Sequence, residues 1–328
     1  MAVTALEAAV DARVGKMNGA IIEMFTEYSP IMNDLPMVPV DGTRYEYERD
    51  VTLPGVGWRG YNEAWAESTG VTNPFTEYMK VLGGEVKSDR LFEDFRASAS
   101  RSPLEKQIRL KIQALSNEFS RAFFEGSELS STKEMVGLRP RIGTPSSQLI
   151  LQSAGGGTLT LAKLNALIDA VPFSTRQEPG FKRGEGIKKI LYMNRTLRTK
   201  INALIEAQTG SMNIVVTKDT FGRYVEMWRD AEIRVVEVTG DGSTVLDFDE
   251  DPGDGTADTA SIYCVAMGED LVHGIRPQKA GPDLFKIDRY TDKPLQSEPR
   301  YMVRFEGLCG MAIEHPRSVG RLYGITNT

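Results

Sequence analysis

Residues 102–126 read SPLEKQIRLKIQALSNEFSRAFFEG. Ser102 stands as N-cap, and Pro103 takes the first helical position, where a missing N–H costs nothing. Glu105 sits three residues after the cap, as a capping box requires. Leu104, Ile108, Ile112, Leu115, Phe119 and Phe123 recur every three or four residues and make one apolar stripe, with Gly126 as the stop. The pattern predicts one uninterrupted helix over about 103–125, roughly 35 Å long at 1.5 Å per residue.

Working outward from this rod, TRYEYERDVTL (43–53) and FTEYMKVLGGEVKSDRLF (75–92) both alternate as strands do. Between them lies PGVGWRGYNEAWAESTGVTNP (54–74), rich in glycine, aromatics and acids. Two strands joined by a tip of about twenty residues form a long hairpin or excursion, and loops of that length are functional or held by a partner. Farther upstream, Leu6, Val10, Met17, Ile21, Met24 and Phe25 give residues 5–28 an amphipathic helical spacing, weakened by Gly15 and Gly19. Pro30, Pro36 and Pro39 each remove a donor, which predicts an extended arm over 29–41.

Downstream, Gly137, Pro140, Gly143, Pro145 and the AGGG at 154–157 mark a connector. A second helix is predicted from Leu161 to Val171, capped by Thr160 and stopped by Pro172. Residues 187–193 read as a buried strand, and Asn194 caps a third helix carrying Leu197, Ile201, Leu204 and Ile205. Strands are expected at 213–217, 232–238, 261–267 and 300–314. Helices and strands mix without a regular βαβ beat, so the class is α+β.

A length of 328 residues corresponds to about two domains, or one large irregular one. With 41% hydrophobic and 26% charged residues the chain buries a core, which excludes wholesale disorder and fibrous repeats. No apolar run approaches the ~18 residues of a membrane span, and MAVTALEAAVDARVG is not a secretory signal. Two cysteines, Cys264 and Cys309, supply no disulfide framework and point to a reducing compartment. A net charge of −6 argues against a dedicated DNA-gripping protein, though not against one that encloses DNA without adhering to it.

Catalytic signatures are weak. Gly55-Val56-Gly57-Trp58-Arg59-Gly60 matches a dinucleotide fingerprint in letters, but Pro54 precedes it and no packed crossover helix can follow it. His273 and His315 stand alone rather than in metal-binding spacing. Cys264 and Cys309 lie in apolar strand contexts and read as buried, inert thiols. Asp247, Asp249, Glu250, Asp251, Asp254 and Asp258 fail the calcium-loop pattern, since Pro252 and Asp258 occupy its sixth and twelfth places. Residues 176–200 are rich in Lys and Arg, whereas 241–258 hold seven acids and no base. The two stretches are either solvated faces or partners across subunits.

The order of these elements is a helical arm, a long two-stranded excursion, a long capped helix, a Gly/Pro connector, a mixed α+β part and a returning strand pair. It resembles the major capsid proteins of tailed bacteriophages, the Hong Kong 97-type fold. LPGVGWRGYNEAWAESTGVTNPFTEYMKVLGGEVKSDRLFED (53–94) is similar to that family's extended loop, and residues 102–126 to its spine helix, followed by GLRP at 137–140. ASIYCVAMGEDLVHGIR (260–276) and YMVRFEGLCGMAIEHPRSVGRLYGI (301–325) resemble its closing stretches. The likeness covers nearly the whole chain.

The resemblance implies an N-terminal arm (1–44), an extended loop reaching over a neighbour (45–92), a peripheral domain with the spine helix (93–150), an axial domain (151–285) and a C-terminal return (286–328). It further implies a non-enzymatic coat protein without cofactor or metal. Such a protein self-assembles into hexamers and pentamers of an icosahedral shell around phage double-stranded DNA. The shell belongs to the virion and is built in the host cytoplasm. Expected partners are other copies of the chain, a separate scaffolding protein, a portal at one vertex, a decoration protein and the packaged DNA by non-specific contact, with no membrane. Lys80 and Lys87 lie where some relatives form a covalent crosslink, but no residue match assigns one here. Trp58, Tyr61, Trp65 and Phe75 are the expected interface rings. Glu63 and Glu67 are expected to face Arg139 or Arg141 of a neighbour. The alternatives are an encapsulin-like nanocompartment shell and, from another class, a nucleotide-dependent oxidoreductase resting on GVGWRG.

Overall fold

The computed structural model describes residues 3–4, 29–95, 102–129, 132–143, 147–173, 187–207, 214–218, 224–237, 244–278, 285–290 and 298–327. The helix expected over 5–28 lies outside them. In chain order the elements are β1 (Val3–Thr4), α1 (Pro30–Asp34), β2 (Pro36–Val40), β3 (Arg44–Thr52), β4 (Val71–Tyr78), β5 (Lys80–Asp89), α2 (Arg90–Asp94), α3 (Pro103–Glu125) and α4 (Leu138–Arg141). They continue with β6 (Leu149–Leu151), α5 (Leu161–Ala170), β7 (Lys188–Met193), α6 (Arg195–Ala207), β8 (Ile214–Lys218), β9 (Tyr224–Trp228) and β10 (Ala231–Val235). The last are β11 (Thr259–Met267), β12 (Val272–Pro277), β13 (Phe285–Tyr290), β14 (Arg300–Ile313), a 3₁₀ turn (Pro316–Ser318) and β15 (Val319–Thr326).

The long helix is α3, as its sequence dictates. Ser102 Oγ accepts from the Glu105 N–H at 3.3 Å, but Glu105 does not supply the reciprocal half of the box. Glu93 of α2 does that work instead: its carboxylate accepts from Ser102 Oγ at 2.7 Å and from the Leu104 N–H at 2.8 Å. An anion from a separate element thus satisfies one of the helix's unpaired donors and faces its positive pole. Gly126 ends α3 with extended rather than left-handed backbone. The residue is glycine because a Cβ there would lie 2.2 Å from the Met135 carbonyl oxygen.

Strands of the body run β1-β2-β12-β11-β7-β10-β9-β8, with β15 antiparallel to β11 and β6 parallel to β15. Period-two alternation divides the core between the faces of this sheet. Ile190, Tyr192, Tyr263 and Val265 pack with the apolar stripe of α3, while Leu191, Met193, Cys264 and Ala266 pack under α5 and α6. Phe123, Phe124 and Tyr192 meet edge to face at centroid separations of 5.1–6.4 Å. The strand β14 belongs to both parts of the sheet. Residues 310–313 pair with β12, and 300–309 pair with β5 on one side and, over 302–307, with β13 on the other.

Several expectations change on contact with this structure. The run 75–92 is two strands divided at Met79: β4 closes the hairpin with β3, whereas β5 leaves it to pair with β14. Continuous alternation cannot reveal a change of partner. Residues 29–41 are built into the body rather than running as a free arm. Pro30 starts the helical turn α1, Ile31, Met32 and Leu35 are wholly buried, and β2 pairs in parallel with β12. Thr160 precedes α5 without capping it by its side chain; its hydroxyl accepts from Gln152 instead. Asn194 does cap α6, accepting from the Leu197 N–H at 2.8 Å.

Candidate intersubunit surface

The hairpin β3–β4 pairs from Arg44↔Tyr78 to Thr52↔Val71 and then opens into a loop, 53–70, with no regular structure. Local bonds shape that loop. The Gly55 N–H donates to Ser68 Oγ at 2.7 Å, closing its neck. Asn62 turns the chain at φ +63°, a conformation asparagine tolerates. The Gly60 N–H donates to the Glu63 carboxylate at 2.7 Å. Arg59 donates to the Glu63 carbonyl oxygen at 3.0 Å and lies 5.5 Å from the centre of the Trp65 ring. The fingerprint-like Gly55–Gly60 therefore forms one side of a loop and opens no helix.

Of the rings expected at an interface, the three in the loop are bare and Phe75 is mostly covered. Trp58 and Tyr61 are fully exposed, Trp65 is 62% exposed and Phe75 is 37% exposed. Leu53 and Val56 join them, giving an apolar tip larger than a solitary soluble chain ordinarily presents. Glu63 and Glu67 are exposed on the same tip.

At the root of the hairpin the opposite holds. Tyr47 stacks on Tyr45 and on Phe75 at 5.7 and 5.8 Å, and the Arg49 guanidinium lies 4.2 Å over the Phe75 ring. Arg49 Nε donates to the carbonyl oxygens of Ile313 and Glu314 at 3.1 and 3.2 Å, bonding the hairpin to the end of β14. The Tyr45 hydroxyl bonds to the Glu314 carboxylate, and its ring meets His273 edge to face at 5.3 Å. Burial pushes the Tyr47 phenol upward, against the pull of Arg49.

Arg141 also joins this root. It forms a two-toothed ion pair with Glu77 of β4, with Nη2 to Oε2 at 2.9 Å, and donates to the carbonyls of Val136 and Met311. The expected pairing of Arg141 with a neighbour's Glu63 or Glu67 is therefore met by a carboxylate of its own chain. Arg139 lies 3.6 Å from both Glu125 and Glu250. Arg49, Phe75, Glu77, Arg141, Ile313 and Pro316 are among the walls of a pocket of about 440 Å³ between hairpin and body. Of the predicted residues, this site brings together Phe75 and Arg141. Tyr45, Tyr47, Arg49, Glu77 and Glu314 were not singled out. The one signal for them is the alternation of Tyr45, Tyr47 and Arg49, which puts all three on one face of β3.

The remaining candidates resolve as structure. Cys264 and Cys309 are buried, and desolvation pushes both thiols up to about 12. His273 is wholly buried, and desolvation lowers it to about 4. His315 accepts from the Arg317 N–H through Nδ1 and packs on Phe173. Asp251 accepts three backbone N–H bonds from residues 253–255, which makes the acidic stretch a self-satisfied turn. Among the described residues no cluster of His, Cys, Asp and Glu suits a metal, and no helix is long and apolar enough to cross a membrane. The described bases of 187–200 have partners within the chain: Lys188 with Asp34, Lys189 with Asp230, Arg195 with Glu237, Arg198 with Glu226, and Lys200 with the Thr326 carbonyl.

Residues 13–161 match the family described as major capsid protein GP7. A subunit of the holo-SrpI encapsulin complex from Synechococcus elongatus PCC 7942 superposes with a TM-score of 0.59 at 14% identity, covering 90% of this chain and 86% of that one. The capsid of a native GTA particle gives 0.58 at 15% identity, covering 91% of each chain. A structure of Mycobacterium phage Bobi gives 0.56 at 14% identity, covering 90% and 89%. The chain has the Hong Kong 97-type capsid fold. That confirms the α+β architecture expected from the order of elements. A coat-protein role follows from the family match and this fold together. No curated protein sequence matches the chain. The hairpin β3–β4 is thus fastened to the body at its root and bare at its tip.

Proposed function

We propose that the chain is the major coat protein of a tailed-phage shell, assembling with copies of itself into five- and six-membered capsomers around double-stranded DNA. The observation that carries this reading is the bare tip 53–70, whose exposed Trp58, Tyr61 and Trp65 are an aggregation liability on a lone chain and anchors on a shell. Under this reading residues 1–44 are the arm, 45–92 the extended loop, 93–150 the peripheral domain, 151–285 the axial domain and 286–328 the return. Assembly takes place in the host cytoplasm with a separate scaffolding protein, and the finished shell carries a portal at one vertex and accepts a decoration protein. The protein's work is structural, without catalysis, cofactor or metal. A net charge of −6 suits a wall against which packaged DNA slides.

The test is negative-stain microscopy with light scattering on the purified chain, alone and coexpressed with a candidate scaffold from its genomic neighbourhood. Closed shells, or rings of five and six, are the expected result. A chain that stays monomeric under both conditions overturns the reading. The encapsulin-like alternative draws on the superposition with the SrpI shell subunit. Particles that enclose a coexpressed protein and exclude DNA would favour it.

A further inference from the structure

The geometry points to the pocket at the hairpin root as the receptor for the hairpin tip of a second copy, with Glu67 of one subunit meeting Arg49 of the next. This deepens the coat-protein reading and rests on it. Among the described residues Arg49 has no carboxylate that neutralises it. Its hydrogen bonds go to carbonyl oxygens and to the Tyr47 hydroxyl, its face lies on Phe75, and among the described residues no carboxylate pairs with it. The two carboxylates at the root are already engaged, Glu77 with Arg141 and Glu314 with Tyr45. Arg49, Arg141 and Glu77 are the charged groups of the pocket lining, which therefore carries one net positive charge.

The tip is complementary. Arg59 is the one base of 53–70 and Glu63 and Glu67 its acids, so the loop carries one net negative charge. Glu63 is occupied by the Gly60 N–H. Glu67 is exposed and makes no hydrogen bond or ion pair among the described residues. Trp65, two residues before it, offers a ring to the apolar part of the pocket, where Ile313 and Pro316 stand. A pocket of about 440 Å³ accommodates such a side-chain pair. The contact is not made within the chain: Glu67 lies in the irregular part of the loop, beyond the last strand pair Thr52↔Val71, and among the described residues it has no bond to Arg49. A contact between two different patches of identical chains is heterologous, and repeated by rotation it closes a ring.

The test is a disulfide trap in assembled particles of the full chain. Gly143 stands at the pocket with no atom within 4 Å of an added Cβ, and the native thiols are buried. Glu67→Cys with Gly143→Cys, oxidised with copper phenanthroline, should give an intermolecular ladder that ends at closed five- and six-membered rings, while neither single variant crosslinks. A strong crosslink from Glu67→Cys alone shows tip-to-tip contact and overturns the proposal, as does the absence of a ladder in well-formed particles. In the chain without the introduced cysteines Arg49→Glu should cut the initial rate of capsomer formation about tenfold, and adding Glu67→Arg should restore it to within about twofold, as for a charge pair that guides association. Failure of the swap to rescue, in subunits that unfold in urea like the parent, overturns the pairing even if the tip sits nearby. Failure of the unmodified chain to form any ring or shell with its scaffold overturns the coat-protein reading instead.

Discussion

The two ends of one hairpin are built from similar residue types and have opposite fates. Both carry aromatics, an arginine and carboxylates. At the root Tyr45, Tyr47, Arg49, Phe75 and Glu77 are stacked, paired and bonded to β14 and α4 of their own chain. At the tip Trp58 and Tyr61 touch almost nothing. Root residues should therefore act on folding, Arg49 on association as well, and tip residues on association alone, a division that mutation can break or sharpen.

The largest effect on folding is expected from Glu77→Ala, which leaves the mostly buried Arg141 without its carboxylate and should cost about 3 kcal/mol in urea unfolding of the dissociated subunit. A loss below about 0.5 kcal/mol would show that the root does not hold the hairpin. Next comes acid. Burial lowers His273 to about 4, with Asp270 and Glu269 pulling the other way and Tyr45 against its ring, so the folded chain holds it neutral above that pH. The unfolded chain takes up this proton near pH 6.5 and the folded chain only near 4. Stability should therefore fall as pH drops through that window, by at most roughly 3 kcal/mol from this group. His273→Gln should flatten that part of the pH profile, and an unchanged profile would exclude the ring as its source. Tyr45→Phe, which removes the hydroxyl bond to Glu314, should cost about 1 kcal/mol. The smallest effect on unfolding belongs to Trp58→Ala with Trp65→Ala, within about 0.5 kcal/mol of the parent. The same double variant should nearly abolish particle formation by light scattering. Normal assembly would erase the contrast between the two ends.

What the sequence made legible divides along similar lines. The helix α3 was readable because its cap, proline, stripe and stop all lie within 25 consecutive residues. The exposed tip was readable because rings between glycines have no periodic partner to pack on. The root was not. Arg49 looks like one more charge in an alternating strand, and only contact with residues 313 and 314 reveals its role. Arg141 looked free for the same reason, since Glu77 lies 64 positions away. The strands β12 and β15 escaped notice because VHGIRP and VGRLYGIT lack alternation, being buried on both faces of the sheet.

The strand β14 runs about 48 Å at 3.4 Å per residue, held by β12 at one end and by β5 and β13 along the rest. Outward pressure on one end of such a beam is carried along covalent backbone, not across a packed seam. The load then passes sideways in shear through many short hydrogen bonds at once, the arrangement that resists rupture best. A wall made of these subunits should give at the joints between them before any single subunit tears.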